Sequence, residues 1–270
     1  MTSISCIITS YNNQEFLCKA VISVISQTMF VDEIIIADDC STDNSRELIT
    51  SLAGKYHQIR PIFREKNLGV AANRDLAIRA ANGDLVTTLD GDDFYLPQKI
   101  EKEYAAMQNN SCLVAYSDIL LVNHEGKDIS FKKTSKFSLF NEKDRLNWLA
   151  SRLGHIPRDM LFTKQLYLEV DGMNHQIPVY EDWDFKIRLA AQPSKWAYSG
   201  VKGTAYRQTG SGLSSMNSRK LIKDQFEVLW LNRDLLEKHI GQLGVWKSFA
   251  RLFARGGFKT FRGLKNKFIS

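Results

Sequence analysis

The feature that most constrains this chain is a fourfold alternation in its first hundred residues: a short apolar run, a polar stop, then a helical pattern. Residues 4–9 (ISCIIT), 33–37 (EIIIA), 59–64 (IRPIFR) and 85–89 (LVTTL) are the apolar runs. Runs of that length bounded by turn residues read as strands buried on both faces. Between them, residues 14–27 place Phe16, Leu17, Ala20, Val21, Val24 and Ile25 at helical spacing. Ser41 is expected to cap a second helix that runs to about Lys55. Residues 70–81 form a third helix that stops at Asn82-Gly83, and Pro97 opens a fourth through Met107. This alternation predicts an α/β fold around a mostly parallel sheet covered on both faces.

In such sheets ligands gather at the C-terminal strand ends. Those ends carry Thr9-Ser10-Tyr11-Asn12, Asp38-Asp39-Cys40-Ser41 and Asp90-Gly91-Asp92-Asp93. Carboxylates placed directly after buried strands are costly unless they meet a ligand or a metal. Asp90 and Asp92, with Gly91 between them, can converge on a divalent cation; the alternative is a solvated acidic turn. Asp38-Asp39 reads either as an acidic cap for the following helix or as an acceptor for a base N–H. Glu181-Asp182-Trp183-Asp184 opens a helix over 181–191. These acids either favour the helix dipole or include a general base, and Trp183 either packs in the core or offers a face to a sugar.

The second half is less regular. Residues 113–123 and 127–132 read as strands around Glu125-Gly126, 141–153 as a helix, 195–199 as a strand and 217–239 as one long helix. The expected organisation is 1–110 as a donor-binding half, 111–243 as an acceptor and catalytic half of the same domain, and 244–270 as a basic tail.

Several function classes are excluded by what is missing. No GxGxxG follows the first strand, and GxxxxGK[ST], HExxH and GxSxG do not occur. The five histidines show no metal-ligand spacing, although His155 in GHIPRDMLF precedes the acidic helix. The four cysteines form no CxxC pair, which fits reduced thiols in a cytosolic protein. The N-terminus has no signal-peptide pattern, and no apolar run is long enough to span a membrane. The net charge of +6 is local: residues 244–270 hold seven cations and no acid, so the body is nearly neutral.

Five segments together resemble family 2 glycosyltransferases: ISCIITSYNNQEFL, VDEIIIADDCSTDNS, KNLGVAANRDLAIRAANGDLVTTLDGDDFYLP, DGMNHQIPVYEDWDFKIRLA and YRQTGSGLS. They follow the family's order over roughly residues 3–215. The resemblance implies a GT-A fold, Rossmann-like, with a mostly parallel sheet flanked by helices, an acceptor-side subdomain and C-terminal helices. It implies inverting transfer of a sugar from a nucleotide diphosphate donor, a UDP-sugar first, to a hydroxyl of a glycan or lipid-linked acceptor. By the same resemblance, Thr9 and Tyr11 line the donor pocket, Asp38 reads the base N–H, Asn67 approaches the nucleotide and Asp90 lies near the ribose. Asp92 binds Mn²⁺ or Mg²⁺, and Asp182 is the catalytic base. Arg207, Ser211 and Ser214 lie in a segment that closes over the donor in relatives. Two departures stand out: Arg74-Asp75 where relatives often have Arg-Asn, and Gln208 near a position where many have histidine.

The tail interleaves Trp246, Phe249, Leu252, Phe253, Phe258, Phe261, Leu264 and Phe268 with its cations. Such a pattern suits the surface of an anionic membrane, here the cytoplasmic face of the cell membrane; the alternative is a helix packed on the body. Nucleic acid is not an expected partner, because the neutral body offers no wider basic patch. Two other functions stay open. A sugar-nucleotide nucleotidyltransferase would need a Gly-rich basic loop that TSYNNQEF lacks, and a non-catalytic nucleotide-sugar binder would not need Asp90, Asp92 and Asp182.

Overall fold

A computed structural model describes residues 2–152, 154–193, 195–209 and 218–256. The chain forms two compact units that interleave along the sequence. Unit 1 comprises residues 1–139, 155–173 and 194–209; unit 2 comprises 140–154, 174–193 and 210–270. Strands from the second half of the chain complete the sheet begun by the first.

Unit 1 holds the whole sheet. Its first half is β1 (Ile4–Ser10), α1 (Gln14–Ile25), β2 (Glu33–Asp38), α2 (Ser45–Lys55), β3 (Ile59–Phe63), α3 (Val70–Ala80) and β4 (Leu85–Asp90). Then come β5 (Phe94–Tyr95), α4 (Lys99–Asn110), β6 (Val114–Val122), β7 (Asp128–Lys132), a 3-10 turn, β8 (Leu161–Thr163), α6 (Lys164–Glu169) and β9 (Trp196–Arg207). The strand order is β3-β2-β1-β4-β8-β6-β9-β5, with β7 paired to β6. The β3-β2-β1-β4 portion is parallel throughout. β8 runs antiparallel to both β4 and β6, so it splices the parallel portion to the later strands.

Every residue of β1 is buried, as a strand covered on both faces requires. Ile4, Cys6 and Ile8 share a core with Leu17, Ala20, Val21 and Val24 of α1 and Ile34 and Ile36 of β2. Ile7 and Ile35 point to the opposite face, where α3 packs against β1 and β2. Each such fully buried aliphatic side chain contributes about 1.5–3 kcal/mol relative to exposure.

Three local expectations change. α2 starts at Ser45, not after a cap by Ser41; Asp43 Oδ1 accepts from the Ser45 N–H at 3.0 Å. The strand expected over 195–199 continues to Arg207, because Gly200 takes a positive φ of 82° and the pairing with β6 shifts register there. The long helix expected over 217–239 is two, α8 (Ser218–Leu231) and α9 (Arg233–Gly256). At the junction, Asn232 donates to Val228 O at 2.9 Å and to Asp184 Oδ1 at 2.6 Å, which fixes the break. Residue 217 lies outside the described residues.

Unit 2 is helical: α5 (Glu142–Ser151), α7 (Glu181–Ala190), α8 and α9. Asn141 caps α5 by accepting from Asp144 N. Trp183 is 3% exposed and donates to Leu149 O at 3.0 Å, so it packs in the core and presents no face to a sugar. α9 bends at Gly241, whose φ is 74°.

Beneath the sheet of unit 1 lies a fully buried ion pair. Lys99 Nζ reaches Glu103 Oε2 at 2.7 Å and Thr87 Oγ1 at 3.2 Å, and it lies 4.3 Å from the centre of the Tyr95 ring. Ser117 donates to the other Glu103 oxygen at 2.6 Å. Neither charge touches water, so removing one partner strands the other. Lys99→Met should lower unfolding stability by about 3–5 kcal/mol in urea titrations, whereas the double change Lys99→Met with Glu103→Leu should recover much of that loss.

Candidate functional site

The register of the parallel strands builds the site. Ser10 pairs with Asp38 across β1 and β2, and Thr9 pairs with Asp90 across β1 and β4. Three loops distant in sequence therefore leave the sheet at one edge, the C-terminal one where α/β sheets bind ligands. At the first loop Tyr11 is 48% exposed. Asn12, at φ 53°, accepts from Thr42 N at 2.8 Å and donates its own N–H to Ser41 Oγ at 2.9 Å. The loops after β1 and β2 are thus stitched together.

Asp38 is fully enclosed. Its oxygens accept from Ser41 N at 3.0 Å, from Ser41 Oγ, and from Arg46 Nε at 3.0 Å. Asp39 accepts from the backbone N–H groups of Leu68 at 2.8 Å and Gly69 at 2.9 Å, which ties the Asn67-Leu68-Gly69 segment to the β2 loop. Asn67 is exposed, and its side chain accepts from Gly69 N at 3.0 Å.

The acidic turn after β4 is denser. Asp90 Oδ1 accepts from Thr9 Oγ1 at 3.2 Å and pairs with Arg74 Nη2; Asp90 Oδ2 accepts from Arg158 Nη2 at 2.8 Å. The same Arg158 nitrogen lies 2.9 Å from Asp93 Oδ2, and Arg158 Nε pairs with Asp159 at 2.8 Å. Asp93 Oδ1 accepts from the Arg207 backbone N–H at 2.7 Å, and Arg207 Nε donates to the Asp92 carbonyl at 2.8 Å. No side chain among the described residues hydrogen-bonds to the Asp92 carboxylate. A Cβ at Gly91 would meet Asn13 Nδ2 at 2.8 Å and Thr9 O at 2.9 Å, so only glycine lets the turn lie this close to β1.

Crowding sets the electrostatics. Burial, then the charge of Asp90, pushes the Asp92 carboxyl above its ordinary range, against its own backbone N–H, Arg158 and Arg207. Burial raises Asp93 still further, with Arg158 opposing and Asp92 and Asp90 adding to the rise. Oxygens of Asp90, Asp92 and Asp93 all lie within 4.8 Å of one another. A hard oxygen set of this kind fits Mg²⁺ or Mn²⁺, with Asp92 the ligand whose carboxylate no side chain already engages.

Thr9, Tyr11, Asp38, Asn67, Asp90 and Asp92 all fall in unit 1. Asp182 belongs to unit 2, on the first turn of α7. Its Oδ2 pairs with Lys186 Nζ at 2.6 Å, and its side chain is 46% exposed. Ser211 and Ser214 lie outside the described residues. His155 is exposed and sits before Arg158.

The sequence reading passed over Arg158 and Asp159. Their signal was there: an Arg-Asp pair inside the apolar stretch HIPRDMLF, where charges need buried partners. The departure at Asp75 also has a structural account. Its carboxylate accepts from Tyr167 OH at 2.6 Å, Arg79 Nε at 2.9 Å and Met173 N at 3.2 Å, which pins the turn after α6 to α3. At the other departure, Gln208 is exposed and its backbone N–H donates to Val122 O at 2.9 Å.

Comparison with known proteins agrees with this architecture. The description "Glycosyl transferase family 2" matches residues 5–170. An uncharacterized glycosyltransferase of Haemophilus influenzae is 34% identical over 136 residues, covering 50% of this chain and 54% of that protein. A cholesterol galactosyltransferase of Borreliella burgdorferi is 29% identical over 245 residues, covering 84% of this chain and 67% of that protein. The chain thus spans about half the length of the first relative and two thirds of the second. Among solved structures, S. aureus TarS 1–349 in complex with UDP-GlcNAc superposes with a TM-score of 0.66 at 17% identity, over 84% of this chain and 65% of that one. That likeness identifies the fold as GT-A. The matched segment covers more than half of the sequence, and the chain belongs to glycosyl transferase family 2.

Proposed function

We propose that this protein is a metal-dependent, inverting glycosyltransferase that moves a sugar from a UDP-sugar donor to a hydroxyl of a lipid-linked or glycan acceptor in cell-surface polysaccharide or glycolipid synthesis. The observation that carries this reading is the acidic turn Asp90–Asp93, where two carboxylates are held by arginines and Asp92 is not. The UDP-GlcNAc complex of the TarS relative supports the donor class. The name of the Borreliella relative, a cholesterol galactosyltransferase, supports a lipid hydroxyl as acceptor.

Tyr11 offers an exposed ring on which a base can stack. Thr9 and Asp90 stand at the adjoining strand ends, Asp90 near the ribose, and Asn67 lies on the segment that Asp39 holds toward the nucleotide. Asp38 acts in this reading through the loop it fixes; direct contact with a base N–H would require it to exchange Ser41 or Arg46. Asp92 would hold Mn²⁺ or Mg²⁺, with Asp90 and Asp93 beside it. A divalent cation bound there supplies positive charge against the diphosphate leaving group. Asp182 is assigned as the base. It takes the proton of the acceptor hydroxyl, whose oxygen bonds to the anomeric carbon as the bond to the diphosphate breaks, with inversion at that carbon. General-base catalysis of this kind is worth about 10²–10⁴-fold in rate.

The same proposal includes peripheral contact with the cytoplasmic face of an anionic membrane through residues 245–270. No helix among the described residues is long and apolar enough to cross a membrane. On α9, Val245, Ser248 and Leu252 are buried, while Leu243 is 68% and Trp246 62% exposed. Lys247 and Arg251 flank this outer stripe. Residues 257–270, with four further cations, lie outside the described residues. A helix with one packed face and a second face of Trp, Leu and cations suits an interfacial position.

Calorimetry with UDP should show Mn²⁺-dependent binding that Asp92→Ala abolishes. Asp182→Asn should keep that binding and lose at least about 10²-fold in transfer; near-normal transfer by this variant removes the base assignment. UDP-sugar turnover without sugar transfer would favour a different activity, and binding without any turnover a non-catalytic role. In a vesicle sedimentation assay, the double variant Leu243→Ser, Trp246→Ser should bind phosphatidylglycerol vesicles more weakly than the parent protein. Equal sedimentation of the two, or equal binding to phosphatidylcholine vesicles, counts against the membrane contact.

A further inference from the structure

Arg158 reaches in between two carboxylates of the acidic turn, those of Asp90 and Asp93. One nitrogen, Nη2, lies 2.8 Å from Asp90 Oδ2 and 2.9 Å from Asp93 Oδ2. Its Nε is taken by Asp159 at 2.8 Å, and its guanidinium stacks 4.3 Å from the centre of the Tyr206 ring. The Asp159 carbonyl in turn accepts from Thr87 Oγ1 at 3.3 Å, inside the buried network around Lys99. The guanidinium is therefore held in place from the core outward, and its side chain is only 19% exposed.

The consequence is a division of labour among the acids. Asp90 and Asp93 spend their oxygens on Arg74, Arg158, Thr9 and the Arg207 backbone. Asp92 alone keeps a carboxylate that no described side chain engages. Mg²⁺ and Mn²⁺ want about six oxygen ligands, and one carboxylate beside two guanidinium groups is a poor set for a free ion. A diphosphate changes this, because its oxygens add both ligands and negative charge.

We propose that Arg158 is a positioning residue that keeps the acidic turn from taking up a divalent cation by itself, so that the cation enters with the diphosphate. The proposal rests on the metal-dependent reading above but concerns a residue that reading does not use. Its logic predicts a gain of binding on mutation, which a role in stability alone does not produce. Without the Arg158 charge, three carboxylates with oxygens inside 4.8 Å become a conventional cation site.

The test is titration of the full-length protein with Mn²⁺ and no nucleotide, following free Mn²⁺ by its electron paramagnetic resonance signal. Arg158→Gln should bind Mn²⁺ at least about tenfold tighter than the parent. Arg158→Lys keeps the charge but cannot bridge three carboxylates, and it should restore most of the parent's weak binding. Adding Asp92→Asn to Arg158→Gln should cancel the gain. Circular dichroism and melting confirm which variants fold, and if Arg158→Gln does not, Arg158→Met, which also removes the charge, is read in its place with the same expected gain. Unchanged or weaker Mn²⁺ affinity in a folded Arg158→Gln overturns the proposal, as does a gain that survives Asp92→Asn. A separate arm with UDP and Mn²⁺ on the parent protein reads the donor-binding function itself, so failure there is distinguishable from failure here.

Discussion

Three carboxylates, those of Asp90, Asp92 and Asp93, crowd one end of a buried sheet, and their mutual repulsion is the constraint around which this site is built. At separations below 4.8 Å, an uncompensated pair costs roughly 3 kcal/mol at an effective dielectric of about 20. Arg158 meets this with one guanidinium shared among Asp90, Asp93 and Asp159, while Arg74 takes the far side of Asp90. Arginine suits the position because its planar fork donates in several directions and stays charged at any physiological pH. The compensation is incomplete by one carboxylate, that of Asp92, which is the group the site can offer to a ligand.

A second set of acids does structural work around that centre. Asp38 closes the β2 loop on Ser41 and Arg46, Asp39 anchors the segment before α3, and Asp75 anchors the turn after α6. All three are buried, and each accepts from backbone or charged donors, which is what makes a buried carboxylate tolerable. The loops at this edge are thus fixed from below by hydrogen bonds, leaving Tyr11 and Asn67 at the surface. The site combines a hydrogen-bonded floor with few exposed contact groups.

Much of this was legible in the sequence, and for a local reason. A parallel strand covered on both faces must be an uninterrupted apolar run, so β1, β2 and β4 declared themselves, and the acids after them marked the edge. Legibility faded where structure depends on partners distant in the chain. β8 has only three residues and no period to read. β9 runs through the polar stretch Ser199–Gly203 because β6 is there to pair with it. The single helix read over 217–239 breaks at Asn232 because Asp184 offers its side chain a second acceptor.

The sequence by itself determined the alternation of elements, the glycosyltransferase resemblance, and the residue types that end each strand. Those follow from burial pattern and turn chemistry within a few residues. Tertiary structure decided which acids are free and which are engaged, because the deciding guanidinium at Arg158 arrives from some seventy residues away along the chain. Charge compensation acts through space at a few ångströms, and no local pattern records it.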